Sequence, residues 1–253
     1  MMTHIEVLNE LLHELIDQAK SGVNLLALEA TAQGLLLIMG ATSANKGYMP
    51  QGAKTPFPSN LCLSVNDQIG HTPARDYILK DGDLLTIDCG LNVDNLAADA
   101  GLTIPIGTVS SRDERLLRYT RRALKMGITS IKPGVKITEV GRVIENFVNR
   151  MGFVIVKRMA GHGIGARMHE EPTIPMFDII YRDTEIPVFY EGQTVCIEPH
   201  LTYKDEYGIL DSDGWTIRTQ DGRKSAMAEA MVKIRSGGIE ILADPSNHYG
   251  NIM

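Results

Sequence analysis

The sequence predicts a mixed α/β fold, more narrowly α+β, built from two similar halves. Each half begins with two helical patterns and continues with short strands and turns. Short motifs also recur at a constant offset, since Gly22-Val23 and Met39-Gly40 reappear 112 residues later as Gly134-Val135 and Met151-Gly152. A period this long indicates a duplicated half and not a solenoid repeat.

A third motif supports the duplication. The pattern Gly82-x4-Ile87-Asp88 returns 110 residues later as Gly192-x4-Ile197-Glu198. Each match alone is compatible with chance, but the shared order in three places favours duplication. We therefore expect one domain, residues 1–253, with halves of about 1–110 and 111–253. Asp88 and Glu198 would then lie at matching strand ends and face a shared cleft.

The element boundaries follow from hydrophobic spacing and from breaker residues. The patterns predict helices over 5–19, 25–39, 112–126 and 138–151, and strands over 61–65 and 84–88. Residues 41–60 form a long connection rich in Gly, Pro, Ser and Asn. Such a connection is uncommon inside a compact domain unless it serves a site.

Composition narrows the function classes. The 253 residues include 43% hydrophobic and 22% charged residues, which excludes a disordered, collagen-like or coiled-coil chain. A net charge of −6 argues against a nucleic-acid binder and against a polybasic membrane-surface protein. The longest apolar stretch is far shorter than the roughly 20 residues of a membrane span. Three widely spaced cysteines and the lack of a signal-like N-terminus predict a cytoplasmic protein.

Asp88 and Asp99 flank a predicted hairpin. A turn centred between Val93 and Asp94 would place the two aspartates directly opposite each other, with Cβ atoms about 5 Å apart. Like charges in that position destabilise a hairpin unless a cation lies between them. The alternative is a turn displaced by one residue, with the two aspartates pointing apart.

Two histidines lie in a glycine-rich segment, Gly161 to Pro172. Glycines on both sides of His162 let the backbone approach a site closely and leave the imidazole unobstructed. A single histidine is more often a structural residue than a ligand. A second one, His169, followed by two glutamates, shifts the balance towards function. The pattern is not the His-Glu-x-x-His zinc signature.

Glu198 and Glu229 interrupt apolar, strand-like runs. Such a glutamate lies either on a solvent face or buried with a partner. Alternation puts Met227 and Met231 on the same face as Glu229, which disfavours the solvent face. Four carboxylates and a histidine that converge would repel strongly without metal. Two divalent cations would balance the four negative charges.

Taken together, these motifs resemble a type I methionine aminopeptidase, a metallopeptidase of the pita-bread fold. The resemblance covers about residues 54 to 242. It rests on the following segments: Asp88-x10-Asp99, Gly161-His162-Gly163-Ile164-Gly165, His169-Glu170-Glu171-Pro172, Ile197-Glu198-Pro199, Asp213-Gly214-Trp215-Thr216 and Ser225-Ala226-x2-Glu229. The Asp-Gly-Trp-Thr segment favours this family over prolidases and proline-specific aminopeptidases. The resemblance implies two pseudo-symmetric halves and a central antiparallel sheet flanked by helices.

The resemblance also implies a dinuclear metal centre. Asp88 would chelate one ion, Asp99 and Glu229 would bridge both, and His162 and Glu198 would complete the set of ligands of the second ion. The ions could be cobalt, manganese, iron, zinc or nickel, because carboxylate and imidazole donors accept all of them.

Catalytic and pocket residues follow from the same resemblance. Glu198 would shuttle a proton, His169 would hydrogen-bond the oxyanion, and His71 would contact the scissile amide; His71 as a plain surface residue is the alternative. The methionine pocket would be lined by Cys62, Phe57, Met168 and Trp215, with Cys62 as a wall and not a nucleophile.

Four departures from the family pattern stand out: Thr72 after His71, Ala100 after Asp99, Ala230 after Glu229, and a longer segment over residues 48–58. Residues behind metal ligands can change affinity or activity by about 10–100-fold. Either reduced activity or altered specificity would follow.

The expected function is removal of the initiator methionine from nascent polypeptide N-termini with a small second residue. The alternatives are a related metallo-aminopeptidase with altered specificity and a non-catalytic homologue that acts as a binding module. We expect a monomer with no membrane and no specific nucleic-acid partner. Arg115, Arg118, Arg122 and Lys125 share one helix face and could contact a ribosome weakly, although a charged face is usually only solvated.

Overall fold

The structure, a computed structural model, describes residues 2–179 and 186–247. Its helices are α1 (His4–Gln18), α2 (Leu25–Met39), α3 (Ser111–Thr129) and α4 (Thr138–Arg150), with a 3-10 turn at Pro245–Asn247. The four predicted helices are thus confirmed within a few residues. The described strands are β1 (Thr42–Ser43), β2 (Cys62–Val65), β3 (Gln68–Gly70), β4 (Leu84–Val93), β5 (Leu96–Pro105), β6 (Val154–Ile155), β7 (Ala160–Gly163), β8 (Glu170–Pro175), β9 (Thr194–Ile197), β10 (His200–Thr202), β11 (Ile209–Leu210), β12 (Ile217–Arg218), β13 (Ala226–Met227), β14 (Ala230–Arg235) and β15 (Gly238–Ala243).

Local sequence signals set the ends of the first two helices. Thr3 and Glu6 form a capping box at the start of α1, which satisfies two backbone N–H groups reciprocally. The side chain of Asn24 accepts a hydrogen bond from the backbone of Leu26 at the start of α2. Gly40 ends α2 in the left-handed conformation, at a φ of 70°, which glycine adopts without strain.

Two antiparallel sheets meet at the centre of the molecule. One contains β1, β4, β2 and β5, and the other has the order β15-β14-β9-β7-β8. They are joined where the backbone N–H of Glu229 donates to the carbonyl of Gly101 at 2.8 Å. Leu102 and Ala228 form an isolated antiparallel bridge beside this bond. The ends of strands from both halves of the chain therefore meet in one place.

The hairpin of β4 and β5 differs from its predicted register. Val93 pairs with Leu96, so the turn residues are Asp94 and Asn95, both with positive φ. The predicted direct pairing of Asp88 with Asp99 is wrong. A two-residue hairpin turn of type I′ needs positive φ at both central positions, which Asp and Asn tolerate and β-branched Val does not. The observed register differs from the predicted one by two residues, so both aspartates stay on one face of the hairpin.

Backbone hydrogen bonds repeat in the two halves. Gly22 donates to the carbonyl of Leu79 at 2.8 Å, and Gly134 donates to the carbonyl of Phe189 at 2.8 Å. In return, Leu79 donates to Val23, and Phe189 donates to Val135. The paired positions are offset by 112 and 110 residues, as in the sequence. This correspondence supports our proposal that residues 1–253 form a single domain by duplication.

None of the helices in the described part of the chain is long and apolar enough to cross a membrane.

Candidate metal centre

The structure brings all the predicted site residues to one cavity of about 510 Å³. Asp88 comes from β4, Asp99 from β5 and His162 from β7. Glu198 directly follows β9, and Glu229 lies between β13 and β14. The cavity is also lined by the other predicted residues: Phe57, Cys62, His71, Met168, His169 and Trp215. Both halves of the chain thus contribute donors to one site.

His162 is oriented to offer a lone pair to the carboxylates. Its Nδ1 lies 3.0 Å from the carbonyl oxygen of Gly163, so Nδ1 carries the proton and donates it. Its Nε2 lies 3.9 Å from Asp99 Oδ2 and 3.8 Å from Glu198 Oε1. Burial, together with the neighbouring His169, lowers the pKa of His162 to about 4. A neutral imidazole held through its other nitrogen is the usual form of a histidine metal ligand.

The carboxylates crowd together in a buried position. Asp88, Asp99 and Glu229 each offer an oxygen within 4.8 Å of the others. Burial raises the pKa of Asp88 to about 6. Burial, and then the charges of the neighbouring carboxylates, raise the pKa values of Asp99, Glu198 and Glu229 well above the usual range. Without a cation, the carboxyl groups of this cluster therefore hold their protons to higher pH than free carboxyl groups do.

One buried carboxylate oxygen of the cluster lacks a partner. Asp99 Oδ1 is buried and has no hydrogen-bond partner among the described residues. An unsatisfied buried acceptor costs about 1–3 kcal/mol, and more when it is charged. The surrounding donors are carboxylate oxygens and one imidazole nitrogen, which suit divalent transition metals. The residues present thus fit a metal centre.

His71 reaches the cavity from a strained backbone position. It follows β3 and has a φ of 54°, which is uncommon for a residue other than glycine. The preceding Gly70 permits this close packing, because a Cβ there would lie 2.8 Å from Met159 Cε. Nearby protein atoms that exclude part of the surrounding water, together with His169 and Arg158, lower the pKa of His71, although the residue as a whole is exposed. His71 is therefore neutral near pH 7.

His169 stands against both His162 and Tyr48. Its ring meets that of His162 edge-on, with centroids 4.5 Å apart. Its Nδ1 lies 2.9 Å from the hydroxyl oxygen of Tyr48. Partial exclusion of water from the His169 ring lowers its pKa, although the residue as a whole is exposed, so this ring is also neutral near pH 7.

The apolar side of the cavity carries the predicted pocket residues. The rings of Phe57 and Trp215 pack edge-to-face with centroids 5.1 Å apart. Met168 and Cys62 are buried beside them. Burial and the nearby Asp88 and Asp99 raise the pKa of the Cys62 thiol, which therefore stays protonated and is a poor nucleophile.

Three of the four departures lie behind the cavity wall. Thr72 is buried and accepts a hydrogen bond from Ser64 Oγ at 3.0 Å. Ala100 pairs with Cys89, and Ala230 pairs with Ile197. None of the three departing side chains is among the described residues that line the cavity.

The fourth departure, the segment 48–58, does reach the cavity. Gly47 donates to the carbonyl of Phe57 at 2.8 Å, and Phe57 donates to the carbonyl of Tyr48 at 2.9 Å. These bonds close the segment into a loop that holds Tyr48, Pro50 and Phe57 against the cavity. Any effect of the departures on specificity would therefore come mainly from this loop.

Two residues at the site have no predicted role. The sequence signal for Tyr48 is an aromatic residue within the long connection of residues 41–60. His200 is buried, and its Nδ1 donates to the backbone carbonyl of Glu198 at 2.9 Å. Its place two residues after Glu198 is the only sequence signal for it. This bond helps to fix the backbone of Glu198, a candidate metal ligand.

Residues 1–241 match the sequence model of Metallopeptidase family M24. The chain belongs to this family. A methionine aminopeptidase of Aquifex aeolicus is 33% identical over 242 residues, which cover 94% of this chain and 93% of that protein. The crystal structure of the methionine aminopeptidase from Thermotoga maritima superposes with a TM-score of 0.88 at 29% identity, covering 95% of this chain and 94% of that one. The predicted family resemblance and the predicted pita-bread fold are both confirmed.

A more distant likeness shows the shared fold alone. A prolidase from Pyrococcus furiosus superposes with a TM-score of 0.70 at 20% identity. The match covers 94% of this chain but only 61% of that prolidase. As a member of family M24, the chain is a metal-dependent hydrolase, and the cluster described above fits the divalent ions that such an enzyme needs.

Proposed function

We propose that this chain is a methionine aminopeptidase that removes the initiator methionine from nascent polypeptide N-termini when the second residue is small. One observation carries the proposal: a cluster of five metal-donor side chains and an apolar, sulfur- and aromatic-lined pocket share a single cavity. The resemblance to proteins named methionine aminopeptidase over nearly the whole chain supports it.

The donors Asp88, Asp99, His162, Glu198 and Glu229 would hold two divalent ions, drawn from cobalt, manganese, iron, zinc or nickel. Such a pair supplies Lewis acidity and a nucleophilic water at neutral pH. The protein positions the donors before binding, because each comes from a strand or from the residue next to one.

The pocket residues would bind the first side chain of the substrate. Phe57, Trp215, Met168 and Cys62 offer only apolar and sulfur-bearing groups, which match a thioether and exclude water. A small second residue would be required where the peptide leaves the cavity.

Three side chains would handle protons and developing charge. A Glu198 carboxylate oxygen would accept a proton from the attacking water and pass it to the leaving amine. A ring N–H of His169 would donate to the carbonyl oxygen as negative charge develops there. His71, neutral and held beside the cluster, would hydrogen-bond the scissile amide.

We propose a cytoplasmic location, since Cys62, Cys89 and Cys196 are all free and buried. The guanidinium of Arg118 lies 5.2 Å from the ring centre of Tyr119, and that of Arg122 lies 5.5 Å from the ring centre of Phe147, while both arginines remain exposed. The weak ribosome contact through the α3 face of Arg115, Arg118, Arg122 and Lys125 stays a prediction.

A second candidate keeps the chemistry but changes the substrate. Its support is the loop of residues 48–58 and the presence of Phe57 and Met168 at pocket positions where the family resemblance implies Tyr and Phe. Peptides of the form Xaa-Gly and Met-Xaa, assayed with the metal-reconstituted protein, separate the two. Release confined to methionine before small residues supports the first proposal, whereas preference for another first residue or for a proline bond supports the second.

A non-catalytic binding module is the remaining alternative, and the retention of all five donors speaks against it. An Asp99→Asn variant separates the two ideas. A binding module would keep its partner, whereas an enzyme would lose turnover.

A further inference from the structure

We propose that Tyr48 is a positioning residue for His169: its hydroxyl donates a hydrogen bond to Nδ1 and so keeps the imidazole proton on Nε2. The inference rests on the proposed function, in which His169 donates a hydrogen bond to the substrate carbonyl. Tyr48 itself would touch neither the scissile bond nor the metal ions.

The contact is short and its geometry is held by the backbone. Tyr48 Oη lies 2.9 Å from His169 Nδ1, and the two rings meet at an angle of 68°. Tyr48 N–H donates to the carbonyl of Asn45, and the Tyr48 carbonyl accepts from Phe57, both at 2.9 Å. Asn45 is in turn buried and donates through Nδ2 to the carbonyl of Asn60 at 3.2 Å. The hydroxyl is therefore presented to His169 from a fixed position.

Two proton arrangements are compatible with this distance. Either the phenol donates to an unprotonated Nδ1, or a protonated Nδ1 donates to the phenol oxygen. The second arrangement would turn the lone pair of Nε2 towards the cavity. A ring nitrogen of His169 lies within 4.8 Å of an Asp99 oxygen and a His162 nitrogen. The first arrangement is the one that leaves an N–H on Nε2 for the substrate carbonyl oxygen, as the proposed function requires.

Partial burial of Tyr48 also favours its hydroxyl as the donor. It raises the pKa of Tyr48, so the phenol keeps its proton and stays a donor across the neutral range. An imidazole that accepts at Nδ1 must carry its single proton on Nε2.

Two consequences follow for the site. A protonated Nε2 is a ready hydrogen-bond donor for a substrate oxygen. It is also no metal ligand, although Asp99, His162 and His169 lie close enough together to hold an ion. Tyr48 would thus separate His169 from the metal ligands. Because Tyr48 and Phe57 lie in one loop, that loop would both shape the methionine pocket and fix the tautomer of His169.

The tautomer can be read by NMR without any assay of activity. We expect long-range proton–nitrogen spectra of ¹⁵N-histidine-labelled, zinc-loaded protein to show His169 protonated at Nε2 and unprotonated at Nδ1. The signal is assigned by its loss in His169→Ala. In Tyr48→Phe, which keeps the ring but removes the hydroxyl, the signal should change to a mixture of tautomers. A wild-type signal protonated at Nδ1, or an unchanged signal in Tyr48→Phe, would overturn the proposal.

Kinetics provide the second test. Tyr48→Phe should lower kcat about 10-fold with little change in KM, because the donor acts mainly as charge develops on the substrate oxygen. In a His169→Ala background, Tyr48→Phe should have no further effect, since the residue it positions is gone. An equal loss in both backgrounds would contradict the proposal. Tyr203→Phe, which removes a hydroxyl bound to Asp113 away from the cavity, is the matched control.

The two proposals fail separately. If the wild-type protein releases no methionine under any metal, the proposed function fails while the NMR signal of His169 still decides the role of Tyr48. If methionine is released but the tautomer is unaffected by Tyr48→Phe, only the role of Tyr48 fails.

Discussion

Asp88 and Asp99 lie diagonally across the β4–β5 hairpin, and each faces a glycine on the opposite strand. Asp88 pairs with Gly101, and Asp99 pairs with Gly90. A Cβ on Gly101 would lie 3.0 Å from Asp88 Cβ, and one on Gly90 would lie 2.4 Å from Met168 Sδ. Gly101 thus leaves space for the side chain of Asp88, and Gly90 leaves space for that of Met168, a pocket residue.

The charge of Asp99 should destabilise the metal-free protein. Asp99→Asn removes one of the crowded buried carboxylates, so we expect the metal-free Tm to rise by about 2–4 °C, or about 1 kcal/mol for a domain of this size. The same variant should lose a ligand and bind zinc more than about 100-fold less tightly, since even residues behind ligands account for about 10–100-fold. Differential scanning calorimetry and zinc titration check both effects.

Asp94→Asn is the matched control. Asp94 is exposed in the turn of the same hairpin, at a positive φ that Asn also tolerates. Its Tm and zinc affinity should match those of the wild type. A lower metal-free Tm for Asp99→Asn would contradict the charge argument.

The metal-free protein should become less stable as the pH rises above about 7. Asp88 has a folded-state pKa of about 6, above that of an unfolded aspartate, so the folded state binds more protons between these values. Between about pH 4 and 6.5 the lowered pKa values of His71 and His162 act in the opposite direction, because the unfolded state then binds more protons at the histidines. Above about pH 7 these histidines are neutral in both states, and the raised pKa values of Asp99, Glu198 and Glu229 make the free energy of unfolding fall as the pH rises.

Chemical denaturation of chelator-treated protein at several pH values between about 7 and 9 measures this slope. With zinc in excess, the stabilisation by metal should instead grow with pH, because metal and protons compete for the same oxygens. A metal-free protein whose stability rises over this interval would contradict the prediction.

Gly90→Ala should alter the methionine pocket through Met168. The new methyl group would meet Met168 Sδ, the flexible end of a side chain that lines the cavity, and push it aside. We expect KM for a Met-Gly peptide to rise about 10-fold, in the range of a small volume change in an apolar pocket. Gly34→Ala, in α2, adds a methyl group that meets nothing within 4 Å and should leave KM unchanged.

Gly161→Ala should disturb the support of His162. A Cβ there would lie 2.4 Å from the carbonyl oxygen of Cys196, which belongs to the neighbouring strand and cannot rotate away. We expect a destabilisation of about 1–3 kcal/mol, typical of overpacking, together with weaker zinc binding. Gly237→Ala, at an exposed turn with open space around it, should show neither effect. Unfolding in denaturant measures the stability of both variants. Equal free energies of unfolding for Gly161→Ala and Gly237→Ala would contradict the prediction.

The sequence predicts the helices and the donor set well, because these depend on short-range patterns. The capping residues Thr3 and Asn24 and the stop at Gly40 specify helix ends locally. The donors are recognisable because carboxylates in apolar runs, such as Glu229, need a partner. The offset between the halves further predicts that Asp88 and Glu198 lie near each other.

Register and side-chain contacts are less accessible from the sequence. Moving the turn from Val93-Asp94 to Asp94-Asn95 changes every cross-strand pair, and only the φ preferences of individual residues distinguish the two. The bond between Tyr48 and His169 joins residues 121 positions apart, and no local pattern predicts such a contact. His200 likewise acquires its partner only through the path of the chain after Glu198.

The central claim is tested most directly by methionine release from a Met-Gly-type peptide. Wild-type protein is stripped with a chelator, reconstituted separately with cobalt, manganese, iron, zinc or nickel, and compared with Asp99→Asn under the same conditions. We expect free methionine with at least one metal, almost none from the stripped protein and almost none from Asp99→Asn. Absence of release with all five metals, in a folded protein that binds them, would contradict the account.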